Sequence, residues 1–224
     1  MKDTLRNLPV LLSASIPEAI SGDRRNPMPD EALTRLVRHI LAAGGQVLSG
    51  GHPSIVPLVY RAARESGRTR CAVLYLLERF RDQAPPEIQD SAVFDRIHWI
   101  GDGSGSLEDE LTELREAMVA ASRAAVFLGG KTERFIGPLP GVRDEYQRFT
   151  RQHAHAPVYL LGFLNGETGR IIQELERTGS HEINTLSDAD RNLLHDSDNM
   201  DRVAPVLLAD LERTLDGGMQ DRSG

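Results

Sequence analysis

Short apolar runs that alternate with amphipathic helical patterns are the feature that most constrains the fold of this chain. Most of these runs lack polar/apolar alternation, which is typical of strands that are buried on both faces. Six of them are predicted as strands, over residues 10–13, 46–48, 72–76, 97–100, 125–128 and 158–161. Strands that alternate with helices predict an α/β fold, namely an open, mostly parallel sheet with helices on both faces.

The helical patterns between the strands have recognisable starts and stops. Apolar residues at helical spacing predict helices over residues 33–41 and 107–121, and the glycines at 44 and 45 end the first of them. Ser106, with Asp109 three residues later, resembles a capping box at the start of the second. The same spacing predicts helices over 142–149 and 203–215, and residues 177–201 are predicted as an irregular flap or a short helix after Ser187.

The length of 224 residues suits one domain. We predict a single domain over residues 1–216, exposed loops over 21–29 and 81–90, and a disordered tail over 217–224. The single cysteine, Cys71, cannot form an internal disulfide and is predicted to be a buried strand residue, which favours a reducing compartment. No signal peptide is recognised and no apolar run reaches the ~20 residues that span a bilayer, so the predicted location is the cytoplasm.

The net charge of −7 argues against binding to nucleic acid or to an acidic membrane surface, because both favour a basic face. We therefore expect no nucleic-acid partner and no membrane partner. The histidines at 153, 155, 181 and 195 lack the spacing of metal ligands, so neither a metal site nor a cofactor is expected.

In an open parallel sheet, the functional site is expected beyond the carboxyl ends of the strands, because ligands of such sheets bind there. Four segments of small and polar residues follow predicted strands there: "SASIP" (13–17), "GGHPSI" (50–55), "GGKT" (129–132) and "GFLNGETG" (162–169).

Two glycine pairs, at 50–51 and 129–130, indicate a ligand that carries phosphate. A backbone without Cβ atoms approaches a phosphate closely, and the helix that follows points its free N–H groups at the anion. Ser13 and Ser15 add hydroxyl donors, and Lys131 adds a cation. The alternative is that each pair only makes a tight turn.

His52 has two interpretations that the sequence leaves open. It either hydrogen-bonds a ribose or phosphate, or caps a helix that starts at Pro53.

Glu145 is the candidate carboxylate of the cleft. If a helix starts near Gly141, Val142 lies on the buried face, Glu145 at its edge and Asp144 away from it, in solvent. A carboxylate at that edge can accept hydrogen bonds from a ribose, as in dinucleotide-binding folds. Alternatively, Glu145 only favours the helix N-terminus electrostatically, as Asp144 also would.

These segments, in this order over residues 9–175, resemble the SLOG branch of the LOG/DprA (lysine decarboxylase-like) superfamily of Rossmann-like nucleotide-binding domains. The resemblance implies sensing or sequestering of a nucleotide-derived small molecule, such as an ADP-ribose-type ligand, in bacterial immunity signalling. It further implies a TIR or other NAD-consuming effector as partner, and it leaves a homodimer open. The expected ligand-binding residues are Ser13, Ala14, Ser15, Gly50, Gly51, His52, Gly129, Gly130, Lys131, Thr132, Gly141, Glu145, Gly162, Phe163 and Gly166.

The alternative that the resemblance implies is a LOG-like N-glycosidic hydrolase or transferase acting on nucleotides, with Glu145 as the catalytic residue. The enzymes of that superfamily carry P-G-G-x-G-T-x-x-E and an arginine in the preceding helix. Here Leu128 replaces the proline and residues 133–140 form an insert, which we expect to be a lid. Leu114 falls where the arginine is expected, with Arg115 one residue late, so ligand binding is favoured over catalysis. A third hypothesis is a scaffold whose cleft has no role.

Overall fold

A computed structural model describes residues 4–16 and 28–220 of the chain. The expectations that fall on residues 21–27 and 221–224, an exposed loop and the end of the tail, lie outside these described residues. No helix within the described ranges is long and apolar enough to cross a membrane.

Six strands form one sheet in which every neighbouring pair is parallel. They are β1 (Pro9–Ser15), β2 (Gln46–Ser49), β3 (Ala72–Leu77), β4 (Phe94–Ile100), β5 (Ala124–Gly129) and β6 (Val158–Leu161), in the order β4-β3-β2-β1-β5-β6. The predicted open parallel α/β sheet is therefore confirmed.

Seven α-helices connect and cover the strands among the described residues: α1 (Met28–Ala42), α2 (Val56–Ser66), α3 (Leu107–Ala121), α4 (Gly141–Gln152), α5 (Gly166–Thr178), α6 (Asp188–Asp196) and α7 (Met200–Gln220). Short 3-10 helices occupy Glu78–Gln83, Pro86–Gln89 and Gly162–Leu164. The Ser106 hydroxyl accepts a hydrogen bond from the Asp109 amide at 3.1 Å, as the capping pattern predicts. Several bounds differ from expectation: β4 starts three residues before the predicted strand, α2 starts three residues after Pro53, and α7 includes residues 217–220 of the predicted tail.

The helices pack on both faces of the sheet. Alternate residues of β1 show this, since Val10 and Leu12 pack in the core beneath α1, α2 and α7, whereas Leu11 packs in the core beneath α3, α4 and α5. Cys71 is buried just before β3, where its backbone carbonyl accepts a hydrogen bond from Val47.

The direction of strand addition reverses between β1 and β5. The chain adds β2, β3 and β4 on one side of β1, then crosses back to place β5 and β6 on the other. Ser15 at the end of β1 pairs in register with Gly129 at the end of β5. Such a reversal leaves a crevice beyond the carboxyl ends of the strands, and this crevice is where ligands of doubly wound sheets bind.

Candidate functional site

A cavity of about 520 Å³ occupies this crevice. It extends from the end of β1 across the ends of β2, β3 and β4, and residues of α3 and α4 complete its walls. Its size falls within the range of about 300–1,000 Å³ that is typical of small-molecule sites.

Nine of the fifteen predicted ligand-binding residues line this cavity: Ser13, Ala14, Ser15, Gly50, Gly51, His52, Lys131, Gly141 and Glu145. They come from four separate segments, which the parallel sheet brings to one end because each segment follows, or packs against, a strand end. Gly51 has a φ of +65°, and a Cβ there would overlap the Leu76 side chain. Glycine is therefore required at this position by the close approach of β3.

The other six predicted residues lie outside the cavity lining: Gly129, Gly130, Thr132, Gly162, Phe163 and Gly166. The pair at 129–130 supports packing, since the Gly130 carbonyl accepts the Glu167 amide at 3.1 Å and a Cβ on Gly130 would press on Val142 and Glu167. A Cβ on Gly166 would overlap the Gly130 carbonyl. This second glycine pair therefore lets α5 approach the end of β5 closely, a packing use that neither the phosphate hypothesis nor the tight-turn alternative had named.

Arg115 faces Glu145, although the motif comparison put Leu114 in the arginine position. The Arg115 guanidinium lies 3.8 Å from a Glu145 oxygen and donates a hydrogen bond of 3.1 Å to Asp144. Its side chain is only 10% exposed. The signal that could have found it is helical spacing, because Arg115 follows Leu111 by four residues and so lies on the same stripe of α3.

We expected Asp144 to point into solvent. The structure instead places it between two arginines, where its side chain is largely buried. Besides Arg115, it accepts a hydrogen bond of 2.8 Å from Arg148, four residues further along α4. The helix register was correct for Val142 and Phe149, which are buried. The expectation for Asp144 was wrong because it ignored the neighbouring helix α3, which brings Arg115 over the first turn of α4.

Glu145 is the titratable group that the cavity perturbs most clearly. Burial raises the pKa of its carboxyl, and the nearby Asp144 charge adds to the rise, while the Ser13 hydroxyl and the Arg115 guanidinium oppose it. Ser13 is 2% exposed, and its hydroxyl lies beside Glu145 without making a hydrogen bond of normal geometry. A buried hydroxyl without a satisfied hydrogen bond costs free energy, so this atom is suited to a ligand that enters the cavity.

Cationic groups surround the same part of the cavity. Lys131 and Arg134 contribute to its lining. Partial burial of the ring, and then the Lys131 charge, lower the pKa of His52. The ring is therefore neutral at pH 7. The His52 ring nitrogen Nδ1 lies 2.7 Å from the Ser54 hydroxyl. The N-terminus of α4 also reaches the cavity through Gly141 and Val142, with no side-chain cap on its first N–H groups. Lysine, arginine and a helix N-terminus all favour an anionic group.

The far end of the cavity is apolar, and its residues were missed from the sequence. Phe80, Trp99, Phe135 and Ile136 line it together with Leu76 and Pro85. The adjacent apolar pair Phe135-Ile136, inside the charged insert that we expected to be a lid, was the available signal. The sequence around Phe80 and Trp99 gave no signal of this role, because only the fold brings the ends of β3 and β4 beside that insert.

No group of three or more His, Cys, Asp or Glu residues within the described parts of the chain could hold a metal ion. The residues that could hold a bound molecule are instead the hydroxyls, cations and glycines of the cavity.

Solved structures of similar fold agree with this architecture. TM1055, a structural-genomics target, has a TM-score of 0.58 and 17% identity, and the match covers 90% of this chain and 99% of that one. DNA processing protein A from Helicobacter pylori has a TM-score of 0.51 and 14% identity, with 80% of this chain and 76% of that chain covered. A search of curated proteins finds no match.

The second of these structures corrects one expectation. DNA processing protein A is described as binding single-stranded DNA, so a protein of this fold does bind nucleic acid. Our exclusion of nucleic-acid partners was wrong, because a net charge of −7 summed over the chain does not describe the local surface that would meet a strand.

The family follows from the sequence itself. The profile of the SLOG cluster3 family matches residues 28–196, which is more than half of the chain. This match includes β2 to β6, the glycine pairs and the Arg115–Glu145 pair of the cavity. The chain belongs to the SLOG cluster3 family.

Proposed function

We propose that the cavity binds a nucleotide-derived small molecule, such as an ADP-ribose-type ligand, and that the protein senses or sequesters it. The observation that carries this proposal is the pairing of Ser13 and Glu145 in the cavity lining, where the buried Ser13 hydroxyl lies beside the Glu145 carboxylate and makes no hydrogen bond of normal geometry. A ribose offers hydroxyl groups that donate to a carboxylate and accept from a serine, so it satisfies both groups.

The charges around Ser13 support a phosphorylated ligand. Lys131, Arg134 and the uncapped N-terminus of α4 line the cavity and favour an anion. Membership of the SLOG cluster3 family is consistent with a receptor function. Bacterial immunity is the setting that the resemblance implies, and it is part of the proposal.

Calorimetric titration with AMP, ADP-ribose and adenosine tests this proposal. Lys131→Ala should weaken the two phosphorylated ligands by about 3- to 10-fold and flatten their salt dependence, because a cation–phosphate attraction is screened by ions. Adenosine should be indifferent to that change. Arg151→Ala, on the exposed distal part of α4, is the matched control and should alter no affinity.

Glu145→Gln should weaken all three ligands, by roughly 1.5–3 kcal/mol if the carboxylate accepts ribose hydrogen bonds. Glu113→Gln, an exposed position on α3, controls for the loss of a charge. Absence of binding by the unaltered protein, or equal effects of Lys131→Ala on AMP and adenosine, would contradict the proposal.

Cleavage of an N-glycosidic bond is the second candidate, and the Arg115–Glu145 pair favours it. In this reaction Glu145 activates a water, or attacks the anomeric carbon itself, and the bond from that carbon to the base breaks. Water supplies the hydroxyl that replaces the base, and the base leaves with a proton. The Arg115 charge opposes the rise in the pKa of Glu145 that burial causes.

Release of adenine from AMP, followed by chromatography, decides between turnover and binding alone. Catalysis predicts multiple turnovers that fall by 100-fold or more in Glu145→Gln, in line with the usual contribution of general acid–base groups, about 10²–10⁴-fold. If AMP binds but no adenine is released, the second candidate is excluded and the binding function stands.

A further inference from the structure

We propose that the apolar end of the cavity, formed by Phe80, Pro85, Trp99, Phe135 and Ile136, binds the planar aromatic ring of the ligand. We name this surface the aromatic annex. The inference rests on the proposed function, since it assigns the ribosyl and phosphate groups to the polar end and the base to the annex.

The distribution of exposed apolar side chains first indicates the annex. Over residues 4–16 and 28–214, four large apolar side chains are exposed, and three of them line this cavity: Phe80 (44% exposed), Phe135 (36%) and Ile136 (48%). The fourth, Met28, lies elsewhere. Exposed apolar groups concentrated at one cavity mark a binding surface rather than ordinary surface composition.

Trp99 forms the part of the annex that belongs to the sheet. It lies near the end of β4, and the Arg81 guanidinium stacks 4.2 Å from its ring centre. Arg81 is held in turn by two hydrogen bonds of 2.6 Å to Glu78. Both residues belong to the short helix Glu78–Gln83, which also carries Phe80. The indole is therefore contacted by a guanidinium that does not line the cavity and that pairs with Glu78.

The insert after β5 supplies the other part of the annex. Phe135 and Ile136 lie in the irregular segment between Lys131 and α4, beside Gly137 with a φ of +96°. Lys131 and Arg134 of the same segment line the cavity as well. One segment thus contributes both a cation for the anionic part and apolar side chains for the ring.

Three aromatic side chains in the annex favour a planar ring over an aliphatic chain. Aromatic side chains stack on any of the nucleobases, because every base presents a π-face. The annex is continuous with the hydroxyls and cations around Ser13. A ligand that is polar and anionic at one end and planar at the other matches the cavity, whose hydroxyls and cations adjoin the aromatic side chains of the annex.

Fluorescence of Trp99 reports on the annex directly, because this residue is the only tryptophan of the chain. AMP and ribose 5-phosphate are the probes, since they share the phosphate and ribose but only AMP carries a base. We expect AMP to change Trp99 emission and ribose 5-phosphate to leave it unchanged. Phe135→Ala should weaken AMP about 10-fold or more, as loss of a base-stacking contact does, and alter ribose 5-phosphate less than 2-fold. Met28→Ala is the control for an exposed apolar residue outside the cavity.

The possible results separate this inference from the function on which it rests. If AMP and ribose 5-phosphate bind equally and both ignore Phe135→Ala, the annex assignment is wrong and the nucleotide site stands. If neither probe binds, as judged by calorimetry, the proposed function fails and the inference fails with it. A short single-stranded oligodeoxynucleotide that binds more tightly than AMP, with the same dependence on Phe135, would assign the annex to a nucleic-acid strand and overturn the small-molecule assignment.

Discussion

Arg115 shows how one side chain changes the chemistry available to the site. Leu114 is buried in the core beneath α3, whereas the longer Arg115 reaches over the first turn of α4 to Asp144 and Glu145. Gly141 permits this approach, since a Cβ there would lie 3.1 Å from the guanidinium. The arginine side chain reaches both carboxylates although it stands one residue later than the enzymatic motif has it.

Glu145 should lower the stability of the protein in the absence of ligand. Its folded-state pKa is raised, chiefly by burial, so the unfolded chain loses this proton first as the pH rises. Stability is therefore lost between the unfolded and folded pKa values, by about 1.4 kcal/mol for each unit of difference. Glu145→Gln should stabilise the protein at pH 7, and this gain should vanish below about pH 4, where both forms are neutral.

Urea unfolding of the unaltered protein, Glu145→Gln and Glu113→Gln from pH 4 to 8 measures this effect. A gain in stability with a loss of ligand affinity in one variant would exclude misfolding as the cause of the lost binding. Parallel stability curves for all three proteins would contradict the pKa shift.

At the scale of elements, a buried polar cluster ties α6 to the segment between α5 and α6, where Glu182 lies. Glu182 lies 2.5 Å from His195 and 3.0 Å from Arg191, which are four residues apart on one face of α6. The cluster lies close to the fourth strand-end segment that we predicted, because a Cβ on Gly162 would overlap the His195 carbonyl. Gly162 is therefore occupied in packing α6 rather than in lining the cavity.

Removal of the Glu182 charge should undock α6. Burial raises the pKa of Glu182, but its contacts with His195 and Arg191 outweigh this and leave the pKa below its usual value. The stabilisation is present above the unfolded pKa of the carboxyl and is lost as pH falls through the folded value. Glu182→Gln should cost roughly 3–5 kcal/mol at pH 7, because it removes one partner of the buried ion pair with Arg191.

Thermal or urea unfolding at pH 7 and pH 3 tests this expectation. Asp196→Asn, an exposed carboxylate at the end of the same helix, is the matched control and should lie within about 0.5 kcal/mol of the unaltered protein. A penalty for Glu182→Gln that is as large at pH 3 as at pH 7 would show that the cluster acts through packing alone.

At the scale of the whole molecule, α7 connects the edge strand β6 with α1 on one face of the sheet. Asp210 of α7 is fully buried and accepts hydrogen bonds from Tyr159 of β6 at 3.0 Å and from the Thr185 amide at 3.3 Å. Asp201 of the same helix pairs with Arg35 of α1, at 2.5 Å. Helix α7 thus packs on α1 beneath one face of the sheet and on the edge strand β6. The single domain over residues 1–216 stays a prediction that these contacts favour.

The sequence by itself determined the elements and their order. Strands buried on both faces are apolar throughout, and helices that cover a sheet repeat their apolar residues every three or four positions, so both patterns are local and can be read directly. The six strands and the capped start of α3 followed from them. Polar segments after strands indicated where the site lies, because all parallel strands end at the same edge.

Only the tertiary structure decided which of those residues share the cavity. The glycine pair at 50–51 lines it, whereas the similar pair at 129–130 packs against α5, a difference that depends on which helix approaches each strand end. Arg115, Phe80 and Trp99 reach the cavity from elements that are distant in sequence. Contacts of this kind depend on crossing distances between helices and strands, which no local pattern of residues encodes.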